Sequence, residues 1–362
     1  VTDFNRPVHC ILGLPVDALD MDQAARQLEQ ARSRRQRCFL STPNLNFIVA
    51  SQSNALFRES VCQSDLSLAD GMPLVWIARL LGIPLPGRVS GSGLFEHLRS
   101  QAQARWKVFL FGGQRGVGQD ACLAIGDGPS GMIPTGYLYP GMGSVDEMSR
   151  ADLIDCINHS GADLLLVSLG AAKGQEWIRR NLDVLDPPVV SHLGAVINFV
   201  AGRVARAPRW MQDCGLEWLW RIQQEPQLYR RYLHDGLALL RLLLVRVLPL
   251  MLWQRWGAAD EQDYECAEAC RSEGPGQLKL RGAWRAGNLA PLRRACAELL
   301  EQPGDATIDL AGCTDIDSAW VALMLLLGQA LHDRGNRLRL LNPSPRLRRL
   351  LHLHCAAHLC AP

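Results

Sequence analysis

The chain has 362 residues, 48% of them apolar, and its 38 Lys and Arg against 36 Asp and Glu leave a formal net charge of +2. That length accommodates two domains, or one large domain with a module attached, and the apolar share supports a sizeable core. A charge so near balance excludes nucleic-acid binding through a uniformly basic surface. Twelve cysteines are scattered without a CxxC pair, and no signal peptide is legible ahead of them, so reduced thiols in a cytosol fit better than a disulfide framework. The first residue is Val1 rather than Met, which leaves the true start open.

Residues 8–16 read as a first strand and loop. Met21 to Gln36 has helical spacing and a basic end, Arg32 to Arg37, suited to a helix C-terminus. Asp20-Met21-Asp22 is the kind of DxD that holds a divalent metal on a nucleotide-sugar; standing immediately before a helix, it is read as a cap and kept out of the site. Cys38 to Thr42 is a strand, followed by Pro43-Asn44-Leu45-Asn46 and a helix through Val61. Leu66 to Leu68 is a short strand ending in Asp70-Gly71, before an apolar helix from Leu74 to Leu81. In an alternating α/β chain the carboxyl ends of the strands form the ligand mouth. A carboxylate at Asp70 is placed to act there, with Gly71 turning the backbone behind it; its competing role is to N-cap the next helix.

A loop rich in breakers, Gly82 to Gly91, leads to a helix (Leu94 to Trp106) and the strand Lys107 to Phe111. Gly112-Gly113-Gln114-Arg115-Gly116-Val117-Gly118 opens another helix. Glycines there cradle a diphosphate through backbone N–H groups or make a plain tight turn, since the spacing is not G-x-G-x-x-G. Asp163 to Leu169 is an unbroken apolar strand, and Pro188 to Leu193 gives one more before a helix from Ala195 to Ala201. The alternation indicates a mostly parallel sheet covered by helices on both faces.

Character changes after Gly202. Arg203 to Trp256 holds nine Arg, no Lys and four acids, and five of the chain's ten Trp. Leu237 to Trp253 is strongly apolar but interrupted by Arg241, Arg246 and Pro249. Central arginines disfavour a spanning helix, and an in-plane interfacial segment fits better; the alternative is a helix pair packed on the α/β body. Gly257 to Gly276 reads as a linker. Beyond it come strands at Leu278 to Leu280, Ala306 to Leu310 and Arg337 to Leu341, and helices over Leu289 to Leu300, Ala319 to Arg334 and from Ser344 onward. This is a second, smaller α/β domain. The tail residues His352, His354, Cys355, His358 and Cys360 spread around a helix axis and are read as an ordinary terminal helix rather than a zinc site.

Thr42-Pro43-Asn44, Ala69-Asp70-Gly71, Arg88-Val89-Ser90-Gly91 and Arg206-Ala207-Pro208-Arg209-Trp210-Met211, with Gly215-Leu216-Glu217-Trp218-Leu219 and Gln224-Glu225-Pro226, occur in order. Through them residues 8–233 resemble the WecG/TagA/CpsF glycosyltransferases. With the changes of character after Gly202 and Trp256, this divides the chain into a catalytic domain (1–202), which the resemblance implies to be Rossmann-like, a membrane-proximal helical appendage (203–256), a linker (257–276) and the second domain (277–362). The resemblance implies inverting transfer of a sugar, of the N-acetylmannosamine type or a related hexose, from a UDP-sugar to a polyprenyl-diphosphate-linked saccharide at the cytoplasmic membrane face. No metal or other cofactor is expected. Asp70 takes the role of general base. Arg88 and Arg221, with Arg230 or Arg231, serve the departing diphosphate, and Thr42 and Asn44 line the acceptor or sugar pocket. Gly112, Gly113, Gln175 and Asn198 complete the expected substrate-binding set.

Two positions depart from the family pattern. Where it reads Gly-Ala-Pro-Lys-Gln-Glu-Lys-Trp, this chain has Gly170 to Trp177 with Ala172 for Pro and Gly174 for the nucleotide-contacting Gln, so Gln175 stands one place late, about 100° around a helix. Asn198 stands where Asp is usual. Residues 277–362 resemble a STAS domain through Ile308-Asp309-Leu310, Asp315-Ile316-Asp317-Ser318-Ala319 and Arg337 to Pro345. In phospho-switching relatives a phosphate would add charge at this helix start. Ser318 is the matching candidate phosphosite, but Ala319 replaces the second hydroxyl, which favours a protein-binding or scaffold role. The competing functional class is a catalytically weak membrane platform whose STAS domain binds a regulatory partner.

Overall fold

In the computed structural model, which describes residues 2–127, 130–256, 267–271 and 276–360, the unbroken apolar runs become the inner strands of a parallel sheet. A hairpin of β1 (Val8–Ile11) and β2 (Leu14–Asp17) stands apart from it. The sheet comprises β3 (Cys38–Ser41), β4 (Leu66–Ser67), β5 (Trp106–Gly112), β6 (Met132–Leu138), β7 (Leu164–Ser168) and β8 (Val189–His192), in the order β4-β3-β8-β7-β5-β6. All its pairings are parallel. Along β5, Val108 and Leu110 enter one core and Phe109 and Phe111 the other, as the two-residue pleat requires of a strand buried on both faces. The connecting helices are α1 (Met21–Ser33), α2 (Leu45–Ser53), α3 (Ala55–Cys62), α4 (Met72–Leu80), α5 (Gly91–Ser100), α6 (Val117–Gly126), α7 (Ala151–His159), α8 (Ala171–Asn181) and α9 (Val196–Val200).

Several expectations are corrected. Residues 8–16 form a hairpin rather than a strand of the sheet, with Leu12 (φ 49°) and Gly13 (φ 90°) making a two-residue turn of the primed type. The single helix expected through Val61 divides at Asn54, whose side chain accepts the Phe57 N–H and starts α3. Asp20 caps α1, accepting the Gln23 N–H at 2.7 Å, as expected. The expected helix of Leu94 to Trp106 begins earlier and ends at Ser100. Strand β6 and helix α7 were not expected. Pro134 and Gly136 obscure β6 in the sequence, and both are tolerated because β6 is an edge strand with an irregular register beside Val108.

After α10 (Arg209–Asp213) and α11 (Glu217–Gln224), the chain runs as one helix from Pro226 to Trp256, through α12 (Tyr229–Leu242), a π-turn at Leu243–Val247 and α13 (Leu248–Trp256). The alternative of a packed helix pair is thereby overturned. The helix is long and apolar enough to cross a membrane; its most apolar stretch has a mean hydropathy of 1.9, and only 11% of that stretch is buried. Pro249 has no N–H to offer Val245, and the π-turn ahead of it, with the Leu248 N–H on the Leu243 carbonyl, absorbs the mismatch. Arg246, within the apolar run, is tied to the C-terminal unit: its Nη1 donates to the His352 carbonyl at 2.7 Å.

The C-terminal sheet has the order β12-β11-β10-β9. It consists of β9 (Glu268–Arg271), β10 (Gln277–Trp284), β11 (Ala306–Ile316) and β12 (Leu338–Leu341), with β9 antiparallel and the rest parallel. Most of the expected linker, 257–266 and 272–275, lies outside the described residues, and β9 occupies part of its span. Helices α14 (Ala290–Leu300), α15 (Ser318–Asp333) and α16 (Pro345–Leu353) complete the unit. Helix α15 is apolar all round, and 13 of its 16 residues are buried, because the β1–β2 hairpin covers a face that its own sheet leaves open. One hydrophobic cluster runs from Ile11, Leu14 and Val16 through Trp320, Leu323 and Leu327. His9 Nδ1 lies 3.0 Å from Ser318 Oγ, and Cys10 Sγ donates to the His354 carbonyl at 3.6 Å. At its other side the hairpin is fixed by a buried pair. Arg6 grips Asp17 (3.0 and 2.6 Å) and donates to the Ser64 carbonyl, while Asp17 accepts the Ser67 N–H of β4.

Candidate active site

Backbone pairing continues past β4, with the Leu68 N–H on Ser41 and the Asp70 N–H on Pro43. This places Asp70 at the carboxyl end of the sheet beside Thr42 and Asn44. Gly71 (φ 145°) is the N-cap of α4 and makes no side-chain cap bond, so Asp70 does not cap that helix. Its Oδ2 instead accepts the Gly91 N–H at 3.3 Å, and its Oδ1 stands 3.9 Å from Arg88 Nε. Burial pushes the Asp70 carboxyl up to about 6. Arg88 opposes the rise, Glu217 adds to it, and the Gly91 hydrogen bond and Arg221 oppose it further.

Three arginines gather around this mouth. Arg88 donates to Glu217 at 2.6 Å and to the Gln212 carbonyl at 3.2 Å. Arg221 donates to Glu225 at 2.8 Å and lies 5.7 Å from the Phe199 ring centroid. Arg206 lies 6.0 Å from that centroid and donates to Ser92 Oγ at 3.0 Å. The Nε of each is buried and meets no hydrogen-bonding partner among the described residues, a costly arrangement for a guanidinium. Arg206 and Glu217 were absent from the expected site. Their signal lay in the motifs that contain them, where nothing local distinguishes a site residue from its neighbours.

The other expected residues divide. Thr42 is buried beside Gly91, where a Cβ would come within 3.4 Å of its Oγ1. Asn44 caps α2 by accepting the Phe47 N–H at 3.3 Å. Gly112 and Gly113 perform a tight turn: a Cβ on Gly112 would stand 2.5 Å from the Ser168 carbonyl, and that carbonyl takes the Gly113 N–H at 2.7 Å. That N–H is thus committed within the protein rather than to a diphosphate. Asn198 is half-buried on α9. Gln175 is turned away, as its one-place shift implies; it is fully buried, with Nε2 donating to Ser41 Oγ at 3.1 Å. The space a side chain at Gly174 would need is filled by the His192 ring, whose Nε2 lies 2.8 Å from the Leu169 carbonyl. Arg230 and Arg231 are exposed on α12; Arg231 stacks over Tyr232 at 5.0 Å, and neither joins the Asp70 cluster among the described contacts. Ser318 belongs to the C-terminal junction.

A parallel α/β sheet with an acid and converging arginines at its carboxyl end is the architecture of an enzyme acting on an anionic ligand. Residues 9–251 match the Glycosyl transferase WecG/TagA/CpsF family, and residues 269–359 match the STAS domain described as Mlab. The chain belongs to the WecG/TagA/CpsF glycosyltransferase family and carries a C-terminal STAS domain. Among its relatives is the N-acetylglucosaminyldiphosphoundecaprenol N-acetyl-beta-D-mannosaminyltransferase of Bacillus spizizenii, 27% identical over 196 residues, covering 54% of this chain and 74% of the relative. The protein of the same name from Bacillus subtilis is 26% identical over 195 residues, again covering 54% and 74%.

Proposed function

We propose that this chain is an inverting glycosyltransferase that moves an N-acetylmannosamine-type sugar or related hexose from a UDP-sugar to a polyprenyl-diphosphate-linked saccharide in bacterial surface polysaccharide assembly. Asp70, ionised above about pH 6, takes the proton of the acceptor hydroxyl as that oxygen attacks C1 of the sugar. The bond from C1 to the diphosphate oxygen breaks, and UDP leaves with the electron pair. The observation that carries this reading is the approach of Arg88 and Arg221 to Asp70, with Arg206 sharing the Phe199 ring with Arg221 and the buried Nε of each making no hydrogen bond among the described residues. Such preorganised donors stabilise a departing diphosphate without a metal. The names of the Bacillus relatives specify an undecaprenyl-diphosphate acceptor, which supports an acceptor of that class here.

The chain works, in this reading, on the inner face of the plasma membrane as a peripheral protein. Leu233, Leu237, Leu240, Leu244, Leu248 and Leu252 recur three or four residues apart on the long helix, and all are exposed. That stripe supports in-plane insertion. The catalytic body spans 1–202, the appendage 203–256, and the STAS unit serves as a scaffold, leaving its outer surface for a protein partner.

The test is UDP release by the full chain from UDP-N-acetylmannosamine with detergent-solubilised polyprenyl-diphosphate-N-acetylglucosamine in EDTA. Release that survives EDTA, is lost in Asp70→Asn and falls sharply in Arg206→Ala is the expected result. Absence of both UDP release and UDP binding in the wild type overturns the enzyme reading and leaves the chain a regulatory platform.

A further inference from the structure

The long helix is held at two points of unequal kind. Near its start, Asn46 Nδ2 of α2 donates to Asp235 Oδ2 at 3.3 Å. Near its end, Val247 and Leu250 are buried and join the hydrophobic cluster that takes in Leu347, Leu350 and Leu351 of α16. From Glu217 to Trp256, Asp235, Val247 and Leu250 are the fully buried side chains among the described residues, and α11 has none. The hydrogen bond near the start does little more than offset the cost of burying a carboxylate. Apolar burial, which gains free energy outright, lies at the STAS end.

That end carries polar contacts as well. Arg349 and Arg346 of α16 lie 5.2 and 5.7 Å from the Trp253 ring centroid, within range of a cation–π attraction, and Arg246 donates to the His352 carbonyl. The STAS unit is in turn fastened to the transferase body by the β1–β2 hairpin over α15. These contacts close a ring. It runs from the body through the hairpin to the STAS unit, along the long helix, and through Glu225-Pro226 back to α11. There Arg221 holds Glu225 at 2.8 Å, and Glu217 meets Arg88 of the body at 2.6 Å.

We propose that the STAS unit is an internal clamp of the transferase, whose partner is this chain's own hairpin and long helix. Trp253 is a positioning residue in that clamp: gripped by α16, it fixes the helix so that Arg221 stands at the Asp70 mouth. From Pro226 to Trp253 the helix runs roughly 40 Å without a break, so a release at the STAS end reaches α11 as the swing of a rod. The role given to Arg221 rests on the transferase reading; the clamping of α11 does not.

The experiment uses the full chain and two readouts, hydrogen exchange mapped by mass spectrometry and UDP binding by calorimetry. Trp253→Ala should speed exchange over 217–225, leave β3, β5 and β7 unchanged, and weaken UDP binding about tenfold. Trp253→Phe keeps a ring for the two arginines and should restore most of both. Arg349→Gln, at an exposed position, loosens the grip without opening the core and should move both readouts in the same direction. In an Arg221→Ala background, Trp253→Ala should cost no further UDP affinity, because the arginine it positions is gone. A further loss of about tenfold in that background overturns the positioning role. Unchanged exchange over 217–225 in both Trp253→Ala and Arg349→Gln overturns the clamp. If the wild type binds no UDP, the transferase reading fails, and the exchange over 217–225 decides the clamp by itself.

Discussion

His9 Nδ1 and Ser318 Oγ, 309 positions apart in the chain, meet at 3.0 Å in a buried contact. Ser318 is 5% exposed and the Asp317 carboxylate stands beside it in the chain, so a charge placed on Ser318 is shielded from solvent and has a like charge for a neighbour. Ser318→Ala should cost about 1 kcal/mol, the lost hydrogen bond. Ser318→Asp should cost several times more, on the order of 3 kcal/mol, through an unpaired buried carboxylate. Thermal melts of the two variants check this. Equal melting temperatures would mean that the hairpin does not hold this face in solution.

The ionisation of Asp70 couples activity to pH with a defined sign. Its folded value of about 6 lies above the ordinary 3.8. Turnover should therefore rise with pH through about 6 and then level, since the base must be ionised. Stability should run the other way, falling as pH rises from about 4 through about 6 while the native state is forced to ionise a desolvated acid. Asp70→Asn should lose turnover and gain on the order of 2 kcal/mol of stability at pH 8. Glu217→Gln removes a charge that raises Asp70 and should move the midpoint of the rate profile below that of the wild type. UDP-release profiles and melts over pH 4–8 separate these outcomes.

The pairing of Gly174 with His192 predicts a conditional substitution. Gly174→Gln alone should lose about 2–3 kcal/mol, because its Cβ falls on the imidazole. Gly174→Gln with His192→Ala should recover most of that loss, since the ring is what occupies the space. Denaturant midpoints of the two singles and the double form the cycle that checks it.

The apolar stripe of the long helix should govern membrane association without governing the fold. Leu237→Glu with Leu244→Glu replaces two residues that are 62% and 57% exposed. The pair should reduce flotation with anionic vesicles by roughly tenfold or more and change the melting temperature little. Unchanged flotation would place the attachment elsewhere.

The inner strands were legible because burial on both faces removes polar residues from Leu164 to Val167 altogether. The edge strand β6 was illegible because an edge tolerates Pro134 and Gly136. Asp70 could be placed at the mouth from strand–turn–helix order, but the choice between base and cap depended on a bond to Gly91, 21 residues away. Gln175 shows the reach of helical geometry: its displacement from the expected position was legible, whereas its use by Ser41 was not. The docking of the STAS unit had no local signature at all, since His9 reads as an ordinary strand residue until position 318 is brought to it.

The covering of α15 by the first hairpin bears on how the chain is made. Residues 8–17 leave the ribosome about 300 positions ahead of α15, so the surface that covers their apolar face is not synthesised until after position 318. Until then they hold an apolar face with no partner, a state open to chaperones and to mispairing. A chain cut short before the STAS unit should therefore be recovered in inclusion bodies more readily than its size suggests, and the later unit acts as the seal on the earlier hairpin.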